Sequence, residues 1–441
     1  MNRKSTAPEA LKKQGIAWRR DLHRHPEIGF LEYRTASMII TTLRELGFTV
    51  KYGKDANDTS LTAGLPSRDV QEACMRRAIE EGADPALVQE MADGQTGIVA
   101  ILDGTAGDAG QTVAFRFDMD ANDVSEETDE AHRPAREGFS SVHANVMHAC
   151  GHDGHVAIGL MLAHLLSAHR ADLSGQVRLI FQPAEEGVRG AESMLRAGAV
   201  DGVDVFFGTH IGLSAQKNGM LIASVGEFLA ASKFDAVFTG KSSHAGVAPE
   251  EGRNALLASA QAAIALHAIS RHGKGASRIN VGVLHAGTGR NVLPDRAEMG
   301  FETRGETREI NDYMEAEARR IIRASADMYG VSASLERIGY AEDFVPDPAF
   351  GREIAYFARS LGTYETVSEY GRMCASEDCT AFMNAVTASG GRATYMMLGT
   401  VRTAGHHNGR FDFDESVLSE SAEFLYRLAL RYTAWGERSQ A

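Results

Sequence analysis

Gln176-Val-Arg-Leu-Ile-Phe181 and Asp204-Val-Phe-Phe-Gly-Thr209 are short apolar runs, and the way they alternate with their neighbours decides the fold. Runs of this length bounded by turn residues read as buried strands. The stretch between them, near 190–197, reads as a helix, as does the one before them, near 153–168. Strands alternating with helices predict a mainly parallel sheet covered on both faces. Outward from this unit, strands are expected at Gly97–Leu102 and Thr112–Phe117, and opening helices over 8–22 and 34–46. The proline in Asp21-Leu-His-Arg-His-Pro-Glu-Ile-Gly ends the first of these, and His23 and His25 beside it are expected to satisfy local hydrogen bonds. Downstream, helices over 346–360 and 377–387, a strand over 393–399 and a helix over 415–434 resume the alternation.

The middle reads differently. Strand 232–240, helix 253–269, strands 278–286 and 296–304, helix 308–328 and strand 331–338 follow the β-α-β-β-α-β order of a ferredoxin-like α+β unit. The expected organisation is therefore an α/β domain in two pieces, 1–226 and 340–441, interrupted by an inserted domain over 227–339. A length of 441 residues fits two or three domains. Residues 55–95 look like a further insertion, with charged helical stretches near 68–81 and 85–92. The acidic loop at about 121–137 reads as a solvated run. Helix 255–269 is apolar over much of its circumference, which suits either a subunit interface or tight packing inside the small domain.

Composition removes several function classes. With 45 basic and 59 acidic side chains the net charge is 45 − 59 = −14, so no basic footprint for nucleic acid or an anionic membrane is expected. Four cysteines are too few for a disulfide scaffold, and Cys74, Cys374 and Cys379, which carry no motif, read as reduced thiols. The polar, basic N-terminus lacks the apolar core of a signal peptide, and no run of 18 or more apolar residues exists, so a cytoplasmic location without membrane helices is expected.

The densest chemistry lies in Met147-His-Ala-Cys-Gly-His-Asp-Gly-His155. Residues two apart do not share a helix face, so Cys150 and His152 fit a loop opening the helix at about 153. Thiolate and imidazole are both good ligands for a borderline or soft divalent metal; the plainer reading is a helix-capping Asp153 beside incidental histidines. Glu185 and Glu186 leave the end of one strand, and His210 closes another. The loop Gly405-His-His-Asn-Gly-Arg-Phe-Asp-Phe-Asp414 follows a third. Singly each could be a surface turn. Together they all follow the carboxyl ends of strands, where open α/β sheets place their sites. More than four ligand-type side chains can hold two metals, a pairing that favours hydrolysis. A carboxylate that is not itself a ligand must then carry the proton, and Glu185 and Glu186 could split these tasks. Asp118-Met-Asp120 offers acceptors to orient a histidine ligand.

These segments, with Asp21-Leu-His-Arg-His-Pro-Glu, Phe181-Gln-Pro-Ala-Glu-Glu-Gly and Ser243-His-Ala-Gly, resemble the M20 metallopeptidase and amidohydrolase family, in its bacterial aminoacylase and auxin-conjugate hydrolase branch. The likeness covers nearly the whole chain. It implies a zinc-exopeptidase-like catalytic domain with the inserted unit serving as lid and dimerisation domain. It also implies two divalent ions, Mn²⁺ or Zn²⁺, bridged by Cys150 and held by His152, Glu186, His210 and one of His406 and His407. His407 is chosen because the family's histidine stands four before a Phe and seven before an Asp-Glu pair, a spacing that Phe411 and Asp414-Glu415 match. By the same likeness Glu185 is the general base, and His244 stabilises the oxyanion in a partner subunit's site. Asn291 and Arg304 match the pair that grips the substrate carboxylate.

The implied reaction is cleavage of the amide of an N-acyl or N-aroyl amino acid, with p-aminobenzoyl-glutamate as the expected substrate. The implied assembly is a homodimer, or a heterodimer or heterotetramer with a related second subunit. Alternatives are a general N-acyl-amino-acid aminoacylase, a thiol enzyme using Cys150 as covalent nucleophile, and a catalytically silent partner subunit. The chain departs from the branch in reading Ala-Asn-Asp after Asp118-Met-Asp, where Ala-Leu-Pro is usual, and in carrying the 55–95 insertion, which is expected to line the substrate entrance.

Overall fold

A computed structural model describes residues 7–62, 64–107 and 110–434, so the outermost residues of the two expected catalytic pieces, 1–6 and 435–441, lie outside the described residues. An eight-stranded sheet runs in the order Thr49–Lys51, Ile98–Asp103, Gln176–Gln182, Thr112–Asp118, Val205–Ile211, Arg392–Leu398, Met220–Ile222 and Thr366–Ser368. The four strands at its centre pair in parallel. Ile98–Asp103 joins them antiparallel, as does Met220–Ile222 on the other side. The expected parallel sheet is therefore its centre, flanked by antiparallel neighbours.

Burial explains why the central strands were legible. Every residue of Val205–Ile211 is buried, as a strand covered on both faces requires. On one face pack the helices Glu9–Arg24, His152–Ala168 and Ser416–Thr433; on the other lie Gly190–Arg196 and Thr380–Ala388. Helix His152–Ala168 is buried almost all round, so it is the hub of its layer. It lies close against the sheet at Gly159, where a Cβ would meet the Phe181 and Phe117 rings at 2.7 and 2.8 Å. The expected helix 377–387 starts only at Thr380, leaving Glu377 and Asp378 in the preceding turn.

A second sheet, antiparallel throughout, has the order Ser332–Ala341, Ala230–Thr239, Arg296–Gly305 and Ser277–Ala286. With the helices Ala255–His267 and Arg308–Tyr329 it follows the expected strand–helix–strand–strand–helix–strand order. Phe234, Phe238, Met299, Phe301 and Met314 form its own core on the helix side. Alternation then sends Lys233, Glu302 and Arg304 to the opposite face. Helix Ala255–His267 buries Ala258, Ala262 and Leu266 inward yet leaves Leu257 and Ile264 exposed, as the edge strand leaves Val283 and Leu284. The 55–95 segment forms the helices Arg68–Glu80 and Pro85–Glu90, the second capped by Asp84. Among the described residues no helix is long and apolar enough to cross a membrane.

Candidate metal centre

Loops at the carboxyl ends of the central strands build the site. Cys150 stands just before Gly151, whose φ of +96° turns the chain into helix His152–Ala168 at little cost because glycine has no Cβ. The loop carrying His407 is fastened to the same turn, since the His407 N–H donates to the Ala149 carbonyl at 2.8 Å. Glu185 and Glu186 sit between Ala184 and Val188, both at φ +52°, a left-handed conformation that non-glycine residues adopt only when their surroundings enforce it. The segment is pinned by Glu32, which accepts the Ala184 N–H at 2.9 Å, and by Asp120, whose two carboxylate oxygens accept the N–H groups of Glu185 and Glu186 at 3.0 Å each.

The expected ligands converge. Ligand atoms of Cys150, His152 and His210 lie within 4.8 Å of one another, and so do those of Cys150, Glu186 and His407, so the thiol belongs to both triads. Two histidines are oriented in the same manner. His152 Nδ1 donates to the Asp120 carbonyl and His210 Nδ1 to the Ile211 carbonyl, both at 2.8 Å. Each ring therefore turns its Nε2 towards the cluster, as a ligand held by an outer hydrogen bond must. His210 Nε2 is 3.5 Å from Cys150 Sγ, and His407 Nε2 is 3.2 Å from a Glu186 oxygen. His406 is engaged elsewhere: its Nε2 accepts the Leu213 N–H at 3.1 Å. That geometry favours His407 over its neighbour.

The residues fit a pair of cations. His152 Nε2 and Glu186 Oε1 are buried, 3.8 Å apart, and neither has a hydrogen-bond partner. Burial disfavours a charged His152, yet Asp118, Asp120 and Glu186 outweigh it and push its pKa up to about 10. Burial together with Glu186, Glu185 and Asp118 holds the Cys150 thiol well above its ordinary value. Negative charge is thus concentrated around buried soft donors, an imbalance that divalent cations relieve. Beside the cluster, burial, Glu377 and Glu186 hold the Glu185 carboxyl well above the usual carboxylate range.

Asp118 does not orient an expected ligand. Its carboxylate accepts from His155 Nδ1, while His155 Nε2 accepts the Ile211 N–H at 2.8 Å, so that ring is fully used. The main-chain carbonyl of Asp120 is what steadies His152, the Asp120 carboxylate standing farther off at 3.4 Å. His23 is not locally satisfied either. It bonds Asp153 at 2.9 Å and Glu126 at 3.0 Å, and Glu126 is held by His132 as well, so part of the acidic loop is structural rather than solvated. Asp153 accepts the Gly154 N–H of the first helical turn at 2.9 Å and also pairs with the buried Arg19 at 2.9 Å. The unusual Ala-Asn-Asp sequence has a local use, for Asn122 Oδ1 accepts the Ala149 N–H at 3.1 Å.

Of the second-sheet residues, His244 and Asn291 stand apart from the cluster. His244 and Asn291 lie together on adjoining exposed loops, where the Ala245 N–H donates to the Asn291 carbonyl at 3.0 Å. They lie beyond the Thr239/Arg296 end of the sheet, whereas Arg304 pairs with Ala231 at the other end. Arg296 and Arg304 are separated by about 26 Å at the usual strand rise, so Asn291 and Arg304 of one chain do not form one grip. The Arg304 fork is bonded to Glu302 at 2.8 and 3.1 Å.

Behind Glu185 lies a buried ionic network that the sequence reading missed. Arg116, fully buried, donates to Asp118 at 2.6 Å, Gln182 at 2.7 Å and Glu377 at 2.9 Å, and Tyr395 donates to Glu377 at 2.6 Å. An arginine inside the apolar run Thr112–Phe117 was the available signal, because a buried guanidinium must find carboxylates.

A hydrolase of the metallopeptidase type is what this sheet and its ligand cluster define. The chain belongs to peptidase family M20/M25/M40, whose model matches residues 114–431, and it is an amide-bond hydrolase. It is 49% identical over 94% of its length to the indole-3-acetyl-aspartic acid hydrolase of Enterobacter agglomerans, covering 95% of that protein. It is 45% identical, again over 94% of its length and 95% of the relative, to one subunit of the p-aminobenzoyl-glutamate hydrolase of Escherichia coli. Among solved structures, the aminobenzoyl-glutamate utilization protein of Klebsiella pneumoniae superposes with a TM-score of 0.82 at 40% identity, covering 96% of this chain and 97% of that one. A Bacillus subtilis dinuclear metal-binding peptidase of the M20 family gives 0.64 at 27% identity, covering 97% and 99%.

Proposed function

We propose that this chain hydrolyses the amide joining an aroyl or acyl group to an acidic amino acid, with p-aminobenzoyl-glutamate, giving p-aminobenzoate and glutamate, as the leading substrate. The observation that carries the reading is the Cys150 thiol shared by two triads of donor atoms. Cys150, His152, Glu186, His210 and His407 would hold two divalent ions, Mn²⁺ or Zn²⁺. Such ions supply Lewis acidity to the scissile carbonyl and to the attacking water.

Glu185 takes the proton from that water and returns it to the leaving amine. Its backbone is fixed by Asp120, which holds the carboxyl beside the ligand cluster. Arg304 receives the substrate's α-carboxylate on its Nη1 side, while its Nε and Nη2 stay bonded to Glu302. His244 and Asn291, remote from their own chain's cluster, serve a neighbouring protomer's site. The Escherichia coli relative, itself one component of a multi-subunit hydrolase, supports either a second copy or a related chain as that neighbour. In this reading residues 1–226 and 340–441 form the catalytic domain of a cytoplasmic enzyme, 227–339 its lid and dimerisation domain, and 55–95 a wall of the entrance.

Indole-3-acetyl-aspartate is the second reading, favoured by the 49% identical relative. The test measures metal content and hydrolysis of both conjugates before and after chelation. Two ions per chain and activity restored by Mn²⁺ or Zn²⁺ are expected. Activity that survives complete metal removal would instead favour a thiol mechanism at Cys150.

A further inference from the structure

We infer that Lys233 is the cation that receives the side-chain carboxylate of an acidic amino-acid substrate, an assignment that rests on the function proposed above. A conjugate of glutamate or aspartate brings two carboxylates to the site. Arg304 accounts for one of them, and a second positive group on the same wall is needed for the other.

Lys233 is placed for this. It lies on strand Ala230–Thr239 directly opposite Glu302, on the face that also carries Arg304. Arg304 itself pairs with Ala231, so Lys233 and Arg304 are diagonal neighbours, about 7–8 Å apart at the backbone and within reach of one bridging ligand. The ammonium stands at the metal-ligand loop, because Lys233 Nζ donates to the Glu186 carbonyl at 2.9 Å.

Lys233 is also chemically available. A half-buried ammonium has three N–H donors, and here one reaches a neutral carbonyl. The nearby carboxylate of Glu302 is taken up by both arms of the Arg304 fork. Among the described residues Lys233 forms no ion pair, although partly buried charges are normally paired. Another cation near the cluster, Arg402, stands on the rim of the larger sheet, where its Nη2 donates to the Leu213 carbonyl at 3.0 Å. It is not on the wall that carries Arg304.

The experiment compares kcat and KM for N-(4-aminobenzoyl)-glutamate and N-(4-aminobenzoyl)-glutamine, which differ only in the side-chain charge. The metal-loaded full chain is used, with metal content measured for each variant. Wild type should prefer the glutamate conjugate. Lys233→Met should lower that preference by roughly 10- to 100-fold, the weight of a charge-assisted hydrogen bond, mainly through KM. Lys233→Arg should retain most of it. Equal losses on both substrates would mean that Lys233 only braces the Glu186 loop, and would overturn the assignment. Loss of preference in Arg402→Gln, with Lys233→Met unaffected, would overturn it as well. A wild type that cleaves both conjugates equally refutes this inference alone, whereas one that cleaves neither of them nor indole-3-acetyl-aspartate refutes the proposed function too.

Discussion

Replacing Asp120 by Asn tests how the carboxylate pair is held. The native side chain is buried and accepts two main-chain N–H groups at 3.0 Å, those of Glu185 and Glu186. Asparagine keeps one acceptor and turns its amide N–H₂ towards the other N–H. The change removes one charge-assisted bond and strands a buried donor, costing about 2–4 kcal/mol of folding free energy. It also frees the main chain of Glu185 and Glu186 to relax, moving Glu186 out of its triad. His152 is steadied chiefly by the Asp120 carbonyl, so that ligand should stay in place. The expected result is selective: of two bound ions, the one that depends on Glu186 weakens by roughly 10- to 100-fold, the usual weight of an outer hydrogen bond on a ligand. Competition titration with a chelator reads the two affinities separately, and denaturant unfolding of the metal-free chain reads the stability cost. Wild-type affinity for both ions in Asp120→Asn would refute the argument that Asp120 sets the carboxylate loop.

Three further outcomes are expected. Glu185→Gln should bind metal and substrate normally while kcat falls by about 10²–10⁴, because it removes the proton carrier and no ligand; measured metal content separates this from a ligand defect. His244→Ala should be nearly inactive alone, and mixing it with Glu185→Gln should restore activity above the sum of the two, if histidine and base act across protomers. Acid should destabilise the fold through the network under the acidic loop. Burial opposes ionisation of Glu126, but its bonds to His132 and His23 prevail and lower its pKa from 4.5 to about 2. Arg19 and His23 likewise prevail over burial and hold Asp153 below its ordinary range. The unfolded chain therefore takes up more protons than the folded one as pH drops below about 4.5, and stability declines towards pH 2. Glu126→Gln should flatten that decline in urea unfolding series.

The central strands and long helices were legible because each buries a face or a whole run, as Val205–Ile211 does. Thr49–Lys51, Met220–Ile222 and Thr366–Ser368 were not: three residues carry no periodicity, and such strands form only because a longer neighbour offers them hydrogen bonds. The direction of Ile98–Asp103 was equally hidden, since pairing is a long-range fact. In the site, donor chemistry at strand ends pointed to Cys150, His152, Glu185, Glu186 and His210, and family spacing to His407. The structure brings their side chains together. What stayed hidden was tertiary. Nothing near His23 announces Asp153 or Glu126 as its partners, and the separation of Asn291 from Arg304 follows from the length of strand Arg296–Gly305, which Asn291 precedes and whose far end holds Arg304.

The small sheet is pegged to the catalytic loop at two points. Lys233 grips the Glu186 carbonyl, and the Tyr340 N–H donates to the Val188 carbonyl at 2.8 Å. Swinging that sheet outward must therefore tug on the main chain beside a cation ligand. Were the sheet to open for product release, the same motion would slacken the grip on an ion held at Glu186; a chain stripped of its ions should then fray first at this joint, and ions restored to it should latch the lever.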